Sequence, residues 1–176
     1  MTIVGRALNL ATQAHNGTSR KYGSNEPYVN HVIRVAFDVS RYNNTQTPHD
    51  IMVSAALLHD VLEDTDTPPE NIKQTAGPDV LRIVQELTNP SHLPENKNKP
   101  RAERKRIDRE HLKVASREAK LIKLADRLDN LRDVHQGPKD FQTKYAQESQ
   151  LLLDVLKNTH PDLETQLQTA INNLLQ

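Results

Sequence analysis

Apolar positions recur along the chain at intervals of three and four, the spacing of one helix face, and no segment alternates as a half-buried strand would. Ile3, Ala7, Leu10, Ala11 and Ala14 outline a first helix. A polar loop over 16–26 leads to Pro27 and a second helix through Val32, Val35, Ala36 and Val39. Pro48 and Asp50 open a third, expected to run unbroken to about Asp64, since proline and an acid suit a first helical turn. Pro68 and Pro69 precede a short helix, and Pro78 starts another that ends near Leu87. The stretch 89–100, rich in proline and asparagine, reads as a loop with freedom to move. Further helices are expected at about 101–114, 117–133, 139–158 and 161–175. The pattern predicts an all-α bundle of about eight to ten helices forming one domain over 1–176.

Composition narrows this picture. A chain of 176 residues can bury a sizeable core. With two Phe, four Tyr and no Trp, that core must be built from aliphatic side chains. The absence of cysteine excludes disulfides and thiolate metal sites and fits a reducing cytoplasm. No apolar run approaches membrane-spanning length, and the N-terminus reads as an amphipathic helix rather than a signal peptide. The formal net charge is zero but unevenly spread. Residues 50–70 hold six acids and no Lys or Arg, whereas 95–123 hold eleven Lys or Arg against five acids. Such blocks serve either as solvated faces or as a site that needs acid for a metal and base for an anionic substrate.

The acidic block points to chemistry. In the segment AALLHDVLEDTDT (55–67), an apolar run carries His59 and Asp60, costly to bury unless paired or bound to a metal. His31 lies on the second helix and Asp126 within another apolar helical run. Two imidazoles and two carboxylates make a mixed site suited to Mn, Fe, Co or Zn, and too rich in nitrogen for a typical Mg site. Neighbouring helix residues point roughly 100° apart, so His59 and Asp60 reach one ion only if it lies between their directions. Glu63 and Asp64 fall one turn beyond and face the same crevice, where carboxylates can orient a water or move its proton. Asp66, further out, reads as a turn-capping residue.

These residues fall in ordered motifs: RKYG (20–23), PYVNH (27–31), AALLHDVLEDT (55–65) and KLADRLDNL (123–131). Together they resemble the HD superfamily of metal-dependent phosphohydrolases. The resemblance is closer to the hydrolase domain of RelA/SpoT proteins, and closest to free-standing small alarmone hydrolases of the metazoan SpoT-homologue type. It covers a motif core from about 5 to 133, ahead of the C-terminal helices over 139–175. It implies an Mn-dependent 3′-pyrophosphohydrolase that cuts pyrophosphate from guanosine tetra- or pentaphosphate, leaving GDP or GTP. The resemblance makes His31, His59, Asp60 and Asp126 the ligands of a single Mn2+. It gives Glu63 and Asp64 to the attacking water and its proton, Asn130 to the nucleotide or bound water, and Arg20 and Lys21 to the base.

The basic run 101–106 suits pyrophosphate, with Lys105 or Arg104 as the candidate phosphate contact; a solvated helix or an RNA-binding stripe is the other reading. Without interleaved aromatics, a nucleic-acid partner has little support, so the expected partner is a small nucleotide bearing a 3′-pyrophosphate. Where relatives supply Arg and Tyr to the nucleotide, this chain offers Lys144 and Tyr145. The choice between guanine and adenine is open, and no synthetase domain is expected alongside the hydrolase. Two other functions stand as alternatives: an HD phosphohydrolase for another nucleotide, such as a 5′-nucleotidase, and a non-catalytic alarmone-binding module. His49, His92, His111, His135 and His160 are expected at the surface, and His15 as a helix-end histidine favoured by the dipole.

Overall fold

The computed structural model describes residues 1–21 and 25–176. Among these, ten α-helices and one 3-10 turn account for the regular structure, and the only β-type pairing is an isolated bridge between Ser19 and Pro27. The helices are α1 (Ile3–Ala14), α2 (Tyr28–Tyr42), α3 (His49–Leu57), α4 (Val61–Asp64), α5 (Pro69–Ala76), α6 (Pro78–Leu87), α7 (Arg101–Lys113), α8 (Arg117–Val134), α9 (Lys139–Leu156) and α10 (Pro161–Leu174). The all-α expectation holds. Local chemistry sets the ends: the Thr2 and Ser116 side chains cap α1 and α8 by accepting from Gly5 N and Ala119 N. Proline opens α5, α6 and α10, where its missing N–H costs nothing.

The core is aliphatic, as the composition requires, and gathers around α8. That helix packs against α2, α6, α9 and α10. It buries Leu121, Ile122, Leu124 and Leu128 and, among them, Lys123, Asp126, Arg127 and Asp129. A helix buried nearly all round can carry charges only if each finds a partner. Those partners come from α2, the α3–α4 junction and α9, and they make the site.

Two elements differ from expectation. The third helix does not run unbroken to Asp64: α3 stops at Leu57, and 58–60 form a turn before α4. Leu58 and Asp60 have ψ near zero, with φ of −106° and −99°, the sparsely allowed bridge region typical of turns and functional residues. The break also leaves the Ala56 carbonyl open to a side-chain donor. The stretch 89–100, a loop with a 3-10 turn at Pro90–His92, is also tied to the rest of the fold. Asn89 binds Glu63 through both its backbone N (2.6 Å) and its Nδ2 (3.1 Å). The Ser91 N and Oγ donate to buried Asp108 at 3.1 and 3.0 Å. Asn96 donates from its Nδ2 to the Pro90 carbonyl.

Candidate metal centre and nucleotide cleft

His31, His59, Asp60 and Asp126 come together, each offering a ligand atom, with those atoms all within 4.8 Å of one another. Three of the four are essentially inaccessible and Asp60 nearly so. The turn at 58–60 resolves the directional conflict expected of neighbouring helix residues, since His59 Nε2 lies 3.0 Å from Asp60 Oδ2. The His59 Nδ1 sits 2.7 Å from the Ala56 carbonyl, and the His31 Nδ1 sits 2.7 Å from Asp129 Oδ2. A carbonyl and a carboxylate only accept, so both Nδ1 atoms carry the hydrogen and both Nε2 lone pairs turn inward.

Inside, the lone pairs have nothing to satisfy them. Neither Nε2 makes a well-directed hydrogen bond, and the surrounding atoms are carboxylate oxygens at 3.0–3.6 Å. Four converging lone-pair donors require a cation. Without a metal, protons take that role. Burial disfavours a charged His31, but the adjoining carboxylates of Asp126, Asp129 and Asp60, which a protonated ring would engage, outweigh this and raise its pKa to about 9. His59 is likewise raised against its burial, chiefly by Asp60. Two nitrogens and two carboxylate oxygens are a donor set for a borderline divalent ion, so these residues fit a divalent metal.

Further groups hold the carboxylates. The Tyr28 hydroxyl donates to Asp60 Oδ2 at 2.6 Å, and burial together with the Asp60 and Asp64 charges keeps the phenol protonated. On Asp126, Oδ1 accepts from Asn130 Nδ2, and Oδ2 lies 2.8 Å from the buried Lys123 Nζ. Burial opposes the Lys123 charge, yet Asp126, Glu63 and Asp60 raise its pKa overall. Glu63 is shielded and its pKa is pushed up by burial and by Asp60, with Lys123 and Asn89 opposing. Asp64 stays solvent-exposed, yet crowding by surrounding protein and the charge of Asp60 raise it as well. Asp66 does not cap the turn. The Thr65 hydroxyl does so, donating to the Val61 carbonyl and accepting from Thr67 N.

The cluster lies between two recesses. On one side is a cleft of about 230 Å³ lined by Arg20, Lys21, Tyr28, Asn130, Phe141 and Tyr145 among others. The Arg20 Nη2 donates to Asn130 Oδ1 at 2.7 Å and its Nε pairs with Asp133 at 2.8 Å, which fixes the guanidinium beside the Tyr28 ring. Tyr22 and Gly23 of the RKYG motif lie outside the described residues. On the other side is a narrow pocket where Lys105, Arg109, Lys123 and Arg127 outnumber the acids Asp108 and Glu148, with Asn89 at its edge. Burial and the nearby Arg127 and Lys123 charges lower the Lys105 pKa, with Asp108 opposing.

Of the remaining candidates, Lys144 is exposed and lines neither recess, because its helix turns Phe141 and Tyr145 inward instead. Arg104 is half-buried and lines neither, so of the pair it is Lys105 that faces the basic pocket. His15 ends α1 as expected, but not as a charged dipole partner: its ring is buried 4.7 Å from the Tyr28 ring, and burial lowers its pKa. His160 and His111 are half-buried rather than fully exposed: the His160 ring packs edge-on against Tyr42, and the His111 Nε2 lies 2.9 Å from the Glu86 carbonyl. Sequence reasoning missed Tyr28, Lys123, Arg127, Asp129 and Phe141. A lysine three residues before Asp126 and a tyrosine three before His31 were the signals, since i,i+3 residues share a helix face.

A family model for the HD domain matches residues 7–161. The chain belongs to the HD domain family. Among similar HD proteins, the Drosophila melanogaster guanosine-3′,5′-bis(diphosphate) 3′-pyrophosphohydrolase MESH1 is 38% identical over 165 residues, covering 91% of this chain and 88% of its own. The human protein of the same name is 36% identical over 143 residues, covering 81% and 75%. A solved structure, described as a metazoan orthologue of SpoT that hydrolyses ppGpp and plays a role in starvation responses, superposes with a TM-score of 0.85. It is 34% identical and covers 98% of this chain and 96% of its own. Among the described residues, no helix of this HD domain is long and apolar enough to cross a membrane.

Proposed function

We propose that this chain, as one HD hydrolase domain over 1–176, is a metal-dependent 3′-pyrophosphohydrolase of guanosine tetra- and pentaphosphate, releasing pyrophosphate and GDP or GTP. One observation carries this reading: Asp126 sits between the two recesses, its Oδ1 held by Asn130 of the aromatic cleft and its Oδ2 by Lys123 of the basic pocket. A nucleoside on one side and a diphosphate on the other places the scissile bond at the acidic cluster. The relatives named for hydrolysing this nucleotide support the same substrate.

Each residue then has a task. Tyr145 and Phe141 give the cleft an aromatic lining beside the fixed Arg20 guanidinium, which suits a purine. Lys105, Lys123 and Arg127 neutralise the diphosphate, whose proximal phosphorus the water attacks as its bond to the 3′-oxygen breaks. Glu63, with its raised pKa and its carboxylate fixed by Asn89, takes the proton of the attacking water, and Asp64 at the rim returns one to the departing 3′-oxygen. A divalent ion held by His31, His59, Asp60 and Asp126 would supply Lewis-acid activation of water and charge neutralisation. Mn2+ suits the mixed nitrogen and oxygen donors, and a cysteine-free chain suits the cytoplasm.

The test is an assay of purified protein with Mn2+ and 3′-pyrophosphorylated guanosine or adenosine nucleotides, alongside 5′-monophosphates. Pyrophosphate and GDP are the expected products from guanosine tetraphosphate, both lost in Asp60→Ala. Consumption of 5′-monophosphates alone would replace this reading with a 5′-nucleotidase.

A further inference from the structure

The two candidate histidine ligands are held from behind by unlike acceptors. His59 leans on a neutral carbonyl, Ala56, whereas His31 leans on the carboxylate of Asp129, which has no solvent exposure. Asp129 lies one turn after Asp126 on α8, so the helix that offers a ligand also offers the brace for His31.

The brace is itself saturated with donors. Its Oδ1 accepts from Arg34 Nε at 2.8 Å and Arg132 Nη1 at 3.2 Å. Its Oδ2 accepts from His31 Nδ1 at 2.7 Å and Arg34 Nη2 at 3.1 Å. Arg34 extends the connection, because its Nη1 donates to Glu26 at 2.6 Å. Glu26 stands at the neck of the segment that leads to Arg20 and Lys21, where the Arg20 N donates to the Glu26 carbonyl at 3.0 Å. A candidate ligand histidine is thus joined to a wall of the nucleotide cleft through three residues, Asp129, Arg34 and Glu26.

We propose that Asp129 is a positioning residue of the metal centre, fixing the tautomer and direction of His31, and that Arg34 holds Asp129 in place and ties it to the cleft wall through Glu26. This rests on the metal-site reading above and adds a residue outside the set His31, His59, Asp60 and Asp126. The physical reason is twofold. A carboxylate behind an imidazole locks the hydrogen on Nδ1 and makes Nε2 a stronger donor. An amide in its place fails in either orientation, because its NH2 would face a donor from His31 or from Arg34.

The test needs no nucleotide, so it stands apart from the choice of substrate. Co2+ is titrated into metal-free wild type, Asp129→Asn, Asp129→Ala and Arg34→Gln, reading the dissociation constant and the d–d absorption spectrum. Both Asp129 variants should bind about 10- to 100-fold more weakly with an altered spectrum, and Arg34→Gln should shift in the same direction by less. Should the Ala variant fail to give a cooperative melt, the near-isosteric Asn variant carries the measurement. Wild-type affinity and spectrum in the Asp129→Asn protein overturn the positioning role alone. A wild type that takes up no Co2+ overturns the metal centre beneath it.

Discussion

At the scale of the residue, the four candidate ligands are distinct from the carboxylates proposed to move protons. Glu63 is braced by Asn89 and stands outside the four-residue ligand group, so Glu63→Gln should lose about 10²- to 10⁴-fold in kcat while retaining its metal by elemental analysis. Asp126→Ala should lose both, since it removes a ligand oxygen and strands Lys123 without its closest carboxylate. Asp129 makes a pH prediction. Burial works against its charge, but the bonds from His31 and Arg34 prevail and depress its pKa well below the aspartate range. Its contribution is therefore present above the unfolded aspartate pKa and lost as pH falls through and below it. Acid unfolding of the metal-free protein, followed by circular dichroism, should show a weaker dependence below about pH 4 in Asp129→Asn than in wild type. Much of this was legible in the sequence. Histidine and aspartate in apolar runs declare themselves by the cost of burying them. Asp129 and Lys123 did not, because on a helix rich in charge their burial is decided by what α2 and α4 bring against them.

At the scale of the element, periodicity found the helices and proline found their starts, but the two features that build the site are departures from regularity. The turn at 58–60 is invisible to a hydrophobic pattern that continues through it; long-range contacts to Tyr28 and Asp126, with the local bond from His59 to the Ala56 carbonyl, fix it. The asparagine- and proline-rich stretch 89–100 suggested mobility because its composition opposes a helix, whereas its order comes from long-range bonds to Glu63 and Asp108. A third irregularity joins α5 to α6: Gly77 ends one and begins the next with φ +90° and ψ 170°, a region essentially closed to other residues. A Cβ there would meet nothing within 4 Å, so Gly77→Ala isolates the backbone cost. It should destabilise by about 1–3 kcal/mol, lowering the melting temperature by roughly 2–10 °C in calorimetry, with activity at 25 °C little changed.

At the scale of the whole molecule, the acidic cluster is where distant parts of the chain are fastened to one another. Tyr28 to Asp60, Arg34 to Asp129, Arg20 to Asp133 and Glu63 to Asn89 join α2, the α3–α4 junction, α8 and the stretch after α6. Metal binding to such a hub should stabilise globally. With free ion about 100-fold above its dissociation constant, the gain is about 2.7 kcal/mol, so chelation should lower the melting temperature by roughly 5–10 °C. The fastening of 89–100 has a consequence for an outside observer with a protease. That stretch carries Lys97 and is followed by Arg101, both open to trypsin on composition alone, whereas Pro100 protects the bond after Lys99. In the folded protein its near end is clasped by Glu63, so the intact chain should resist nicking there. Replacing Glu63 with alanine should release the clasp at Asn89 and raise cutting after Lys97, which makes the carboxylate proposed to handle water a guard against cleavage as well.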